Sequence, residues 1–303
     1  SSRSGMYAPL IVGDRAIGAL SLESDRLNTY KQEQLDLLTA FANQVAIMIE
    51  RTRLHEEVMK TRWIEEELKI ARHIQSSFLP SECPLLQGFE ICGIHLPFVE
   101  VGGDYYDFIR IVDHQTGIAI ADVAGKGIPA SLIMASFRAS LLAEIRNNYA
   151  IRTILAKTNA LLYESIESDR FVTAFYGVLD TKNKVFTFSN AGHHPPILMR
   201  NDGRTELLTE GGLVLGVLPD AQYEERPVSL SSGDVLTLYT DGVTDAANVS
   251  REEFGQERLV EVIRQSLHMS AGEISDRIVA EVASFRGEAG QNDDLTLVVI
   301  KAL

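Results

Sequence analysis

The hydrophobic pattern opens with two short apolar runs between residues 6 and 22, which read MYAPLIVGDRAIGALSL. The runs flank Gly13-Asp14, a dipeptide typical of the tight turn between two paired strands. The pattern therefore predicts a strand–turn–strand unit. Because two strands alone are marginally stable in water, we expect this hairpin to belong to a larger sheet than this region supplies.

A long helix is predicted for residues 30–79, a stretch that contains no glycine and no proline. Apolar residues recur first at helical spacing and then in the seven-residue pattern of a coiled coil. Two polar residues in that pattern, Thr61 and Gln75, weaken it, and Pro80 ends the helix. The length and the pattern favour pairing with a second copy, so we expect a homodimer through residues 30–79. A single helix packed on its own domain is the alternative.

Short apolar runs and helical patterns alternate in the remainder of the chain. We expect strands at residues 118–121, 171–179, 184–189, 196–199, 235–239 and 294–301, and helices at residues 128–147, 152–167, 256–268 and 272–285. Because short turns join several successive strands, this region is predicted to be mostly antiparallel sheet with helices packed outside. The predicted fold class is therefore α+β.

Composition and charge restrict the classes of function. The chain has 303 residues and a formal net charge of −14, without the basic stripe that nucleic-acid binding requires. Cys83 and Cys92 form neither a zinc pattern nor a disulfide framework, which fits a reducing compartment. No apolar run reaches about 18 residues and no signal peptide is visible, so we expect a cytoplasmic protein without a membrane partner. The abrupt start indicates a fragment of a longer protein.

Aspartates stand repeatedly at the ends of apolar strands. Asp104 lies in VGGDYYDF, Asp122 ends the run IAIAD, Asp241 follows VLTLYT, and Asp293-Asp294 precede LTLVVI. A single aspartate of this kind reads as a turn residue, since aspartate is disfavoured in strands and rarely buried unpaired. Because strand ends from one sheet converge in space, the recurrence predicts that these carboxylates face one another.

A cluster of carboxylates predicts a bound cation, because like charges repel unless a cation neutralises them. Oxygen ligands favour a hard divalent ion, Mg²⁺ or Mn²⁺. Two such ions about 3.5–4 Å apart can activate a water molecule and hold a phosphoryl oxygen, which is the chemistry of phosphate-ester hydrolysis. Glycines beside the aspartates are expected to let the backbone approach ions or substrate; they are Gly102, Gly103, Gly125, Gly127 and Gly242.

Three further residues are secondary candidates: His193, Lys126 and Asp294. His193, in NAGHHPP, is either a general acid or metal contact, or a residue that shapes a turn. Lys126 either contacts phosphate or lies on the surface. Asp294 competes with Asp293 as a ligand. The sequence contains no nucleophile elbow, Walker loop or metalloprotease helix, so these chemistries are not indicated.

At these residues the chain resembles the PPM family of metal-dependent protein phosphatases, in its bacterial SpoIIE/RsbU-like branch. The resemblance covers residues 70–303. Its segments are IARHIQSSFLP (70–80), VGGDYYDF (101–108), IADVAGKGIPASLIMA (120–135), FVTAFYGVLD (171–180), SNAGHHPPIL (189–198), LYTDGVTDA (238–246) and NDDLTLVVI (292–300). The resemblance implies an αββα sandwich, two antiparallel sheets with helices on both outer faces.

The resemblance also implies a set of metal ligands and two divalent cations, Mn²⁺ or Mg²⁺. Asp122 would bridge both ions and Val123 would offer its backbone carbonyl. Asp241 and Asp293 would complete the shell of the first ion, so that Asp122, Asp241 and Asp293 act through metal-bound water. Asp104 would hold the second ion. The phosphate-binding arginine of the eukaryotic relatives has no match in this sequence.

Residues 6–50 resemble the last strands and the final helix of a GAF sensor domain. The predicted organisation is therefore a GAF fragment at residues 1–50, a coiled-coil linker helix at residues 51–80 and a phosphatase domain at residues 85–303. The first part of such a sensor is missing, including most of its ligand pocket.

The resemblance implies regulated hydrolysis of phosphoserine or phosphothreonine on a small partner protein. In this branch the usual partner is a phosphorylated anti-sigma-factor antagonist of the STAS type, and the linker helix would transmit the sensor's state to the metal site. Two alternatives remain: a dimeric signalling scaffold with a structural cation, and a phosphatase of small molecules.

Overall fold

The computed structural model describes residues 2–167 and 169–303, which form two compact units, Ser1–Lys69 and Ile70–Leu303. The first unit begins with an antiparallel hairpin of strands β1 (Ser4–Val12) and β2 (Arg15–Ser24). Gly13 turns the chain between them with a φ of 57°, which a residue without a Cβ adopts at little cost. The hairpin predicted from the apolar runs is confirmed.

The hairpin buries one face against the first part of helix α1 (Gln32–Ser76). Alternate residues of β1 point to this face, as the period of two in a strand requires. The small side chains of α1 allow close packing there. The buried residues are Met6, Ala8, Leu10, Leu38, Ala42 and Ala46.

Helix α1 is one continuous helix of 45 residues, which confirms the long helix predicted from the absence of glycine and proline. It ends at Ser76, three residues before the predicted end at residue 79. Phe78 and Leu79 donate to carbonyls three residues back, a tighter turn than the α-helix. Pro80 explains this early end, since proline disfavours a helical conformation at the preceding residue.

The second unit alternates strands and helices in the order expected from the apolar pattern. Its strands are β3 (Phe89–Leu96), β4 (Tyr105–Val112), β5 (Gln115–Val123), β6 (Val172–Asp180), β7 (Val185–Ala191), β8 (Ile197–Met199), β9 (Thr205–Leu207), β10 (Gly211–Gly212), β11 (Arg226–Ser229), β12 (Val235–Tyr239) and β13 (Leu295–Ala302). Its helices are α2 (Ile128–Asn147), α3 (Ile151–Ser165), α4 (Asp241–Thr244), α5 (Gly255–Gln265) and α6 (Ala271–Arg286).

Two sheets carry these strands. The first has six strands, in the order β10-β7-β6-β5-β4 with β11 beside β7, and the second has five, in the order β3-β13-β12-β8-β9. The long pairs are antiparallel, and the two-residue strand β10 runs parallel to β7. Strands β3 and β4 are absent from the sequence expectation because glycine and polar residues interrupt their apolar pattern.

Three apolar layers hold the second unit together. One lies between helices α2 and α3 and the outer face of the first sheet, and another lies between the second sheet and helices α5 and α6. The layer between them joins the two sheets through aromatic side chains such as Phe175 and Phe188. The expected αββα sandwich is therefore confirmed.

Among the described residues, one helix, α2, is long and apolar enough by length and composition to cross a membrane. One side of α2 is buried against the first sheet, through residues that include Met134, Phe137 and Leu141. This packing accounts for part of the apolarity of α2, since 28% of its apolar stretch is buried.

Candidate metal and phosphate site

The predicted aspartates lie where strands of both sheets end at one edge of the sandwich. Asp104 immediately precedes β4, and Asp122 is next to the last residue of the neighbouring strand β5. Asp241 opens α4 directly after β12, and Asp293 and Asp294 precede β13, the neighbour of β12. The two sheets therefore each contribute carboxylates to the same edge.

Asp104 links the two sheets and is buried, with 3% of its surface exposed. Its Oδ2 accepts hydrogen bonds from the hydroxyls of Thr240, which follows β12, at 2.8 Å and of Thr296, in β13, at 2.5 Å. Burial, reinforced by the charge of Asp122, raises the pKa of Asp104 well above its usual range. The two threonines were not predicted as site residues, because nothing in the sequence indicates which strand ends face each other.

Asp122 is the centre of the electrostatic cluster. Burial, followed by the charges of Asp241 and Asp293, raises its pKa to about 7, and a hydrogen bond with Asp104 opposes the rise. The pKa of Asp241 is raised by burial and then by Asp293. These interactions couple Asp122 to Asp104, Asp241 and Asp293, which makes Asp122 the residue that the others share.

Glycines bring the backbone close to these carboxylates. A Cβ on Gly102 would lie 1.7 Å from Asp294 Oδ2, and one on Gly242 would lie 1.8 Å from the Asp294 carbonyl oxygen. A Cβ on Gly103 would lie 2.9 Å from the carbonyl oxygen of Val123. No side chain fits at the first two positions, so these glycines are required by the close approach of the loops.

Asp293 and Asp294 have different surroundings. Asp294 is buried, and its Oδ1 accepts a hydrogen bond from the Phe98 backbone at 2.7 Å. Asp293 is partly exposed, and its Oδ2 lies 2.6 Å from Lys126 Nζ. Asp294 therefore holds the loop before β4. Asp293, the residue predicted as the ligand, has the more exposed carboxylate.

Lys126 has a defined place at the site. Besides its ion pair with Asp293, its Nζ donates to the carbonyl of Asn292 at 2.6 Å and lies 5.4 Å from the centre of the Phe98 ring. About half of its side chain remains exposed. Lys126 thus neutralises a predicted metal ligand in this structure, an arrangement that neither of its two sequence interpretations contained.

His193 is buried and is hydrogen-bonded through both ring nitrogens. Its Nε2–H donates to the Tyr239 carbonyl at 3.1 Å, and its Nδ1 lies 2.9 Å from the Thr173 hydroxyl. Burial, together with neighbouring His194, lowers the pKa of His193 to about 3. Neither ring nitrogen is free, so these contacts give His193 a structural role. This agrees with the interpretation of His193 as a residue that shapes a turn.

Arg170 lies beside the loop that follows Asp122 and was not among the residues predicted from the sequence. Its Nη1 donates to the Ala124 carbonyl at 3.1 Å, within the loop that follows Asp122. A Cβ on Gly125 would lie 2.0 Å from the same nitrogen, and Gly125 has a φ of 106°. The contact follows from the register of β5 and β6, in which Asp122 pairs with Thr173. Only that register would have revealed Arg170 from sequence.

The donor set fits hard divalent cations, since it consists of carboxylates and the Val123 carbonyl. Among residues 2–167 and 169–303, no three histidine, cysteine, aspartate or glutamate side chains are arranged to hold a metal ion. The hydroxyls of Thr240 and Thr296 occupy Asp104 Oδ2, and Lys126 forms an ion pair with Asp293, so these contacts use oxygens that a cation would take. The predicted ligands are therefore gathered at one edge, with other groups compensating their charge.

Comparisons with known proteins agree with this architecture. The family described as Stage II sporulation protein E (SpoIIE) matches residues 112–303, and the GAF domain family matches residues 1–50. Protein IcfG of Synechocystis is 30% identical over 261 residues, which are 77% of this chain and 41% of that protein. Phosphoserine phosphatase RsbU of Bacillus subtilis is 29% identical over 265 residues, 85% of this chain and 77% of that protein.

A solved structure has the same fold. The SiaA-PP2C domain of Pseudomonas aeruginosa superimposes with a TM-score of 0.71 over 80% of this chain and 98% of that domain, at 24% identity. The match to the SpoIIE family spans most of the sandwich and includes Asp122, Asp241 and Asp293. The chain therefore belongs to the SpoIIE family, and its second unit is a protein phosphatase domain with the PP2C fold, preceded by part of a GAF domain.

Proposed function

We propose that the second unit is a metal-dependent serine/threonine phosphatase that removes phosphate from a signalling protein. The observation that carries this proposal is the meeting of carboxylates from both sheets at one edge, where burial and then their mutual repulsion raise the pKa of Asp122 and Asp241. Such repulsion opposes folding unless a cation offsets it, so the arrangement is explained by cation binding.

The proposed ligands are those predicted from the sequence: Asp104, Asp122, the Val123 carbonyl, Asp241 and Asp293. Divalent Mn²⁺ or Mg²⁺ held there would supply an activated water molecule and a positive charge for the phosphoryl oxygens. Thr240 and Thr296 orient Asp104 by donating to its Oδ2. Asp294 fixes the loop that precedes Asp104 through Phe98. Lys126 would have to release Asp293 when a cation binds.

Arg170 is the proposed phosphate contact. Among the described residues its guanidinium makes one hydrogen bond, to the Ala124 carbonyl, so further guanidinium N–H groups remain available. A guanidinium can donate two parallel hydrogen bonds to a phosphate group. The bond to Ala124 holds Arg170 beside the loop that leads from Asp122 to α2. Arg170 would thus supply the arginine for which the sequence offered no match.

A protein is the proposed substrate, because large apolar side chains flank the site. Ile128 and Leu132 lie one turn apart at the start of α2, just after the Asp122 loop, and are 53% and 67% exposed. Phe171 lies beside the same loop, since its carbonyl accepts from Ala124 N. Exposed apolar patches of this kind are typical of surfaces that contact other proteins. We propose a phosphorylated STAS-type anti-sigma-factor antagonist as the substrate and the cytoplasm as the location.

Regulation through α1 is supported by contacts at its C-terminal end. Gln75 Nε2 donates to the Gly102 carbonyl at 2.7 Å, and Gly102 N donates back to Gln75 Oε1 at 3.1 Å. Arg72 forms an ion pair with Glu100 in the same loop at 3.2 Å. Because Asp104 follows two residues after Gly102, a shift of this helix end would move a proposed metal ligand.

A homodimer through residues 30–79 is proposed from the surface of α1. Large apolar side chains along its middle are exposed, including Leu54, Val58, Trp63 and Ile64. Exposed apolar residues at such spacing are covered when two helices form a coiled coil. The proposed organisation remains a GAF fragment, a linker helix and a phosphatase domain, and a proline at Ile64 should uncouple the sensor from the metal site in the full-length protein.

The proposal is tested by hydrolysis of an aryl phosphate in the presence of Mn²⁺ or Mg²⁺, with a chelator as reference. Asp122→Ala and Asp293→Ala should abolish turnover. Asp202→Ala is the matched control, because Asp202 contacts Arg204 in an exposed turn. Turnover that survives both site substitutions would refute the proposed ligands. Equal rates on nucleotides or sugar phosphates and on a phosphoprotein would favour a small-molecule phosphatase instead.

A further inference from the structure

The two cysteines of the chain line the same surface cavity. None of the proposed metal ligands lines that cavity. Cys83 is in the segment that joins α1 to β3, and Cys92 is inside β3. The backbone N–H of Gly93, the residue after Cys92, donates to Cys83 Sγ at 3.1 Å, and each thiol shifts the pKa of the other. The fold therefore brings together two thiols that stand nine positions apart in the sequence.

A small molecule can reach this pair. Cys83 and Cys92 both line a surface cavity of about 590 Å³, whose other walls include Pro84, Phe89 and Ala271. Both cysteines are partly exposed rather than buried in the core. A pair of free thiols that is close together and open to solvent has the two properties that reversible oxidation requires.

The surroundings distinguish the two sulfurs. The hydrogen bond from the Cys92 thiol and the Gly93 N–H both stabilise a thiolate on Cys83 and lower its pKa, against the effect of burial. The hydrogen bond to Cys83 and burial raise the pKa of Cys92. Because the thiolate is the nucleophile in thiol oxidation, Cys83 is the residue that reacts first and Cys92 the one that resolves the product.

We propose that Cys83 and Cys92 form a reversible intramolecular disulfide when the chain meets hydrogen peroxide. The Cys83 thiolate attacks one peroxide oxygen, the O–O bond breaks, and the departing hydroxide takes a proton to leave as water. Cys83 is then a sulfenic acid. The Cys92 sulfur attacks the Cys83 sulfur, the S–O bond breaks, and a second water leaves with the Cys92 proton. Two thiols are oxidised by two electrons, and one peroxide is reduced to two waters.

The bond would fix the segment that follows α1. Cys83 is the part of that segment that contacts β3, and Gly93 also carries the contact with the next strand: Tyr106 Oη donates to the Gly93 carbonyl at 3.4 Å. A disulfide would close the loop of residues 83–92 across this contact. Disulfides in reducing compartments are typically transient and redox-sensing, which fits an accessible pair better than a structural bridge.

The test uses the intact, reduced chain treated with hydrogen peroxide, followed by alkylation of the remaining thiols. Cleavage after glutamate is required, because lysine and arginine are absent between residues 73 and 109, whereas cuts at Glu82, Glu90 and Glu100 separate peptides 83–90 and 91–100. We expect these two peptides to be recovered linked, with the link lost on reduction. Recovery of both as separate alkylated or sulfinic peptides would overturn the proposal.

Two controls make the outcome specific. An equal mixture of unlabelled and isotopically labelled chains should give linked peptides of a single label, and mixed-label pairs would show an intermolecular bond instead. Cys92→Ser should accumulate a sulfenic acid on Cys83 that a dicarbonyl reagent traps, whereas Cys83→Ser should react more slowly with peroxide. Equal reaction rates of the two variants would contradict the assignment of Cys83 as the first nucleophile. Neither readout depends on phosphatase activity, so both stand if the proposed function fails.

Discussion

At the scale of single residues, Asp122 shows how a functional position conflicts with stability. Its carboxylate is held among other acidic groups, and its pKa of about 7 means that the folded chain keeps a proton that the unfolded chain loses. The raised pKa therefore lowers the free energy of unfolding of the metal-free chain. This loss of stability is absent at a pH near the usual aspartate pKa and grows as the pH rises towards 7. A bound cation would reverse it.

We predict that Asp122→Asn stabilises the metal-free chain at neutral pH by on the order of 1 kcal/mol, because it removes a repelled charge without changing the shape of the side chain. The same change should abolish metal-dependent turnover. Thermal unfolding at neutral pH and near pH 4 measures the effect, which should vanish at the lower pH. A variant that is less stable than the parent at neutral pH would contradict this account of the cluster.

Arg170 leads to a second prediction at this scale. Arg170→Ala should lower kcat/KM for a phosphorylated substrate roughly 10- to 100-fold, the loss expected for a charge-assisted hydrogen bond of about 1.5–3 kcal/mol. Arg170→Lys should recover part of the loss, since lysine keeps the charge without the two-pronged geometry. Inhibition by inorganic phosphate should weaken in parallel. Unchanged phosphate inhibition in Arg170→Ala would leave Arg170 with only the task of holding the Ala124 loop.

At the scale of elements, the end of α1 explains an irregularity of the sequence pattern. Gln75 and Thr61 are both polar interruptions of the seven-residue repeat, but their environments differ. Gln75 exchanges two hydrogen bonds with Gly102, whereas Thr61 is exposed and its hydroxyl donates to the Glu57 carbonyl of its own helix. The weak repeat near residue 75 therefore reflects a polar contact with the Asp104 loop.

We predict that Gln75→Leu lowers metal affinity and turnover, although leucine is the better residue for a coiled coil. The change removes both hydrogen bonds to Gly102, at a cost of about 1–2 kcal/mol to the ordering of that loop. Thr61→Leu is the matched control on the same helix and should leave both quantities unchanged. Calorimetric titration with Mn²⁺ and an aryl phosphate assay measure them. Equal behaviour of the two variants would separate α1 from the metal site.

Helix α2 carries the prediction about the substrate. Leu132→Asp should reduce hydrolysis of a phosphoprotein at least several-fold while leaving aryl phosphate hydrolysis intact, because the exposed side chain is proposed to contact only a protein. Tyr149→Asp is the control, since Tyr149 is 93% exposed just beyond the opposite end of α2. A proportional loss on both substrates in Leu132→Asp would place the effect in the site itself.

At the scale of the whole molecule, the sequence predicted the layers of the sandwich better than the details of its edge. Strands β5, β6, β12 and β13 were evident because they are continuous apolar runs, as strands buried on both faces must be. The contacts of Thr240, Arg170 and Gln75 were not evident. Each joins segments far apart in the chain, and single-chain periodicity carries no information about which strand ends meet.

The same limit applies to the acidic residues. Their positions at strand ends were readable, and burial and electrostatic coupling agree with a shared location. Position alone does not separate the tasks of the adjacent Asp293 and Asp294, and the choice of Asp293 as the ligand came from the family resemblance. In the structure Asp294 is buried against Phe98, whereas Asp293 is more exposed and pairs with Lys126. The role of Lys126 as the partner of Asp293 likewise depends on the loop conformation, in which the flanking Gly125 and Gly127 have positive φ angles.

The most direct test of the central claim is to measure metal binding and phosphate release on the same preparation of the chain. We predict that Mn²⁺ or Mg²⁺ binds, that phosphate is released from a phosphoserine protein only when the ion is bound, and that Asp122→Ala and Asp293→Ala lose both together. Tight metal binding without any phosphate release, in the parent and with every phosphorylated substrate offered, would contradict the account and identify the site as a structural cation site of a signalling scaffold.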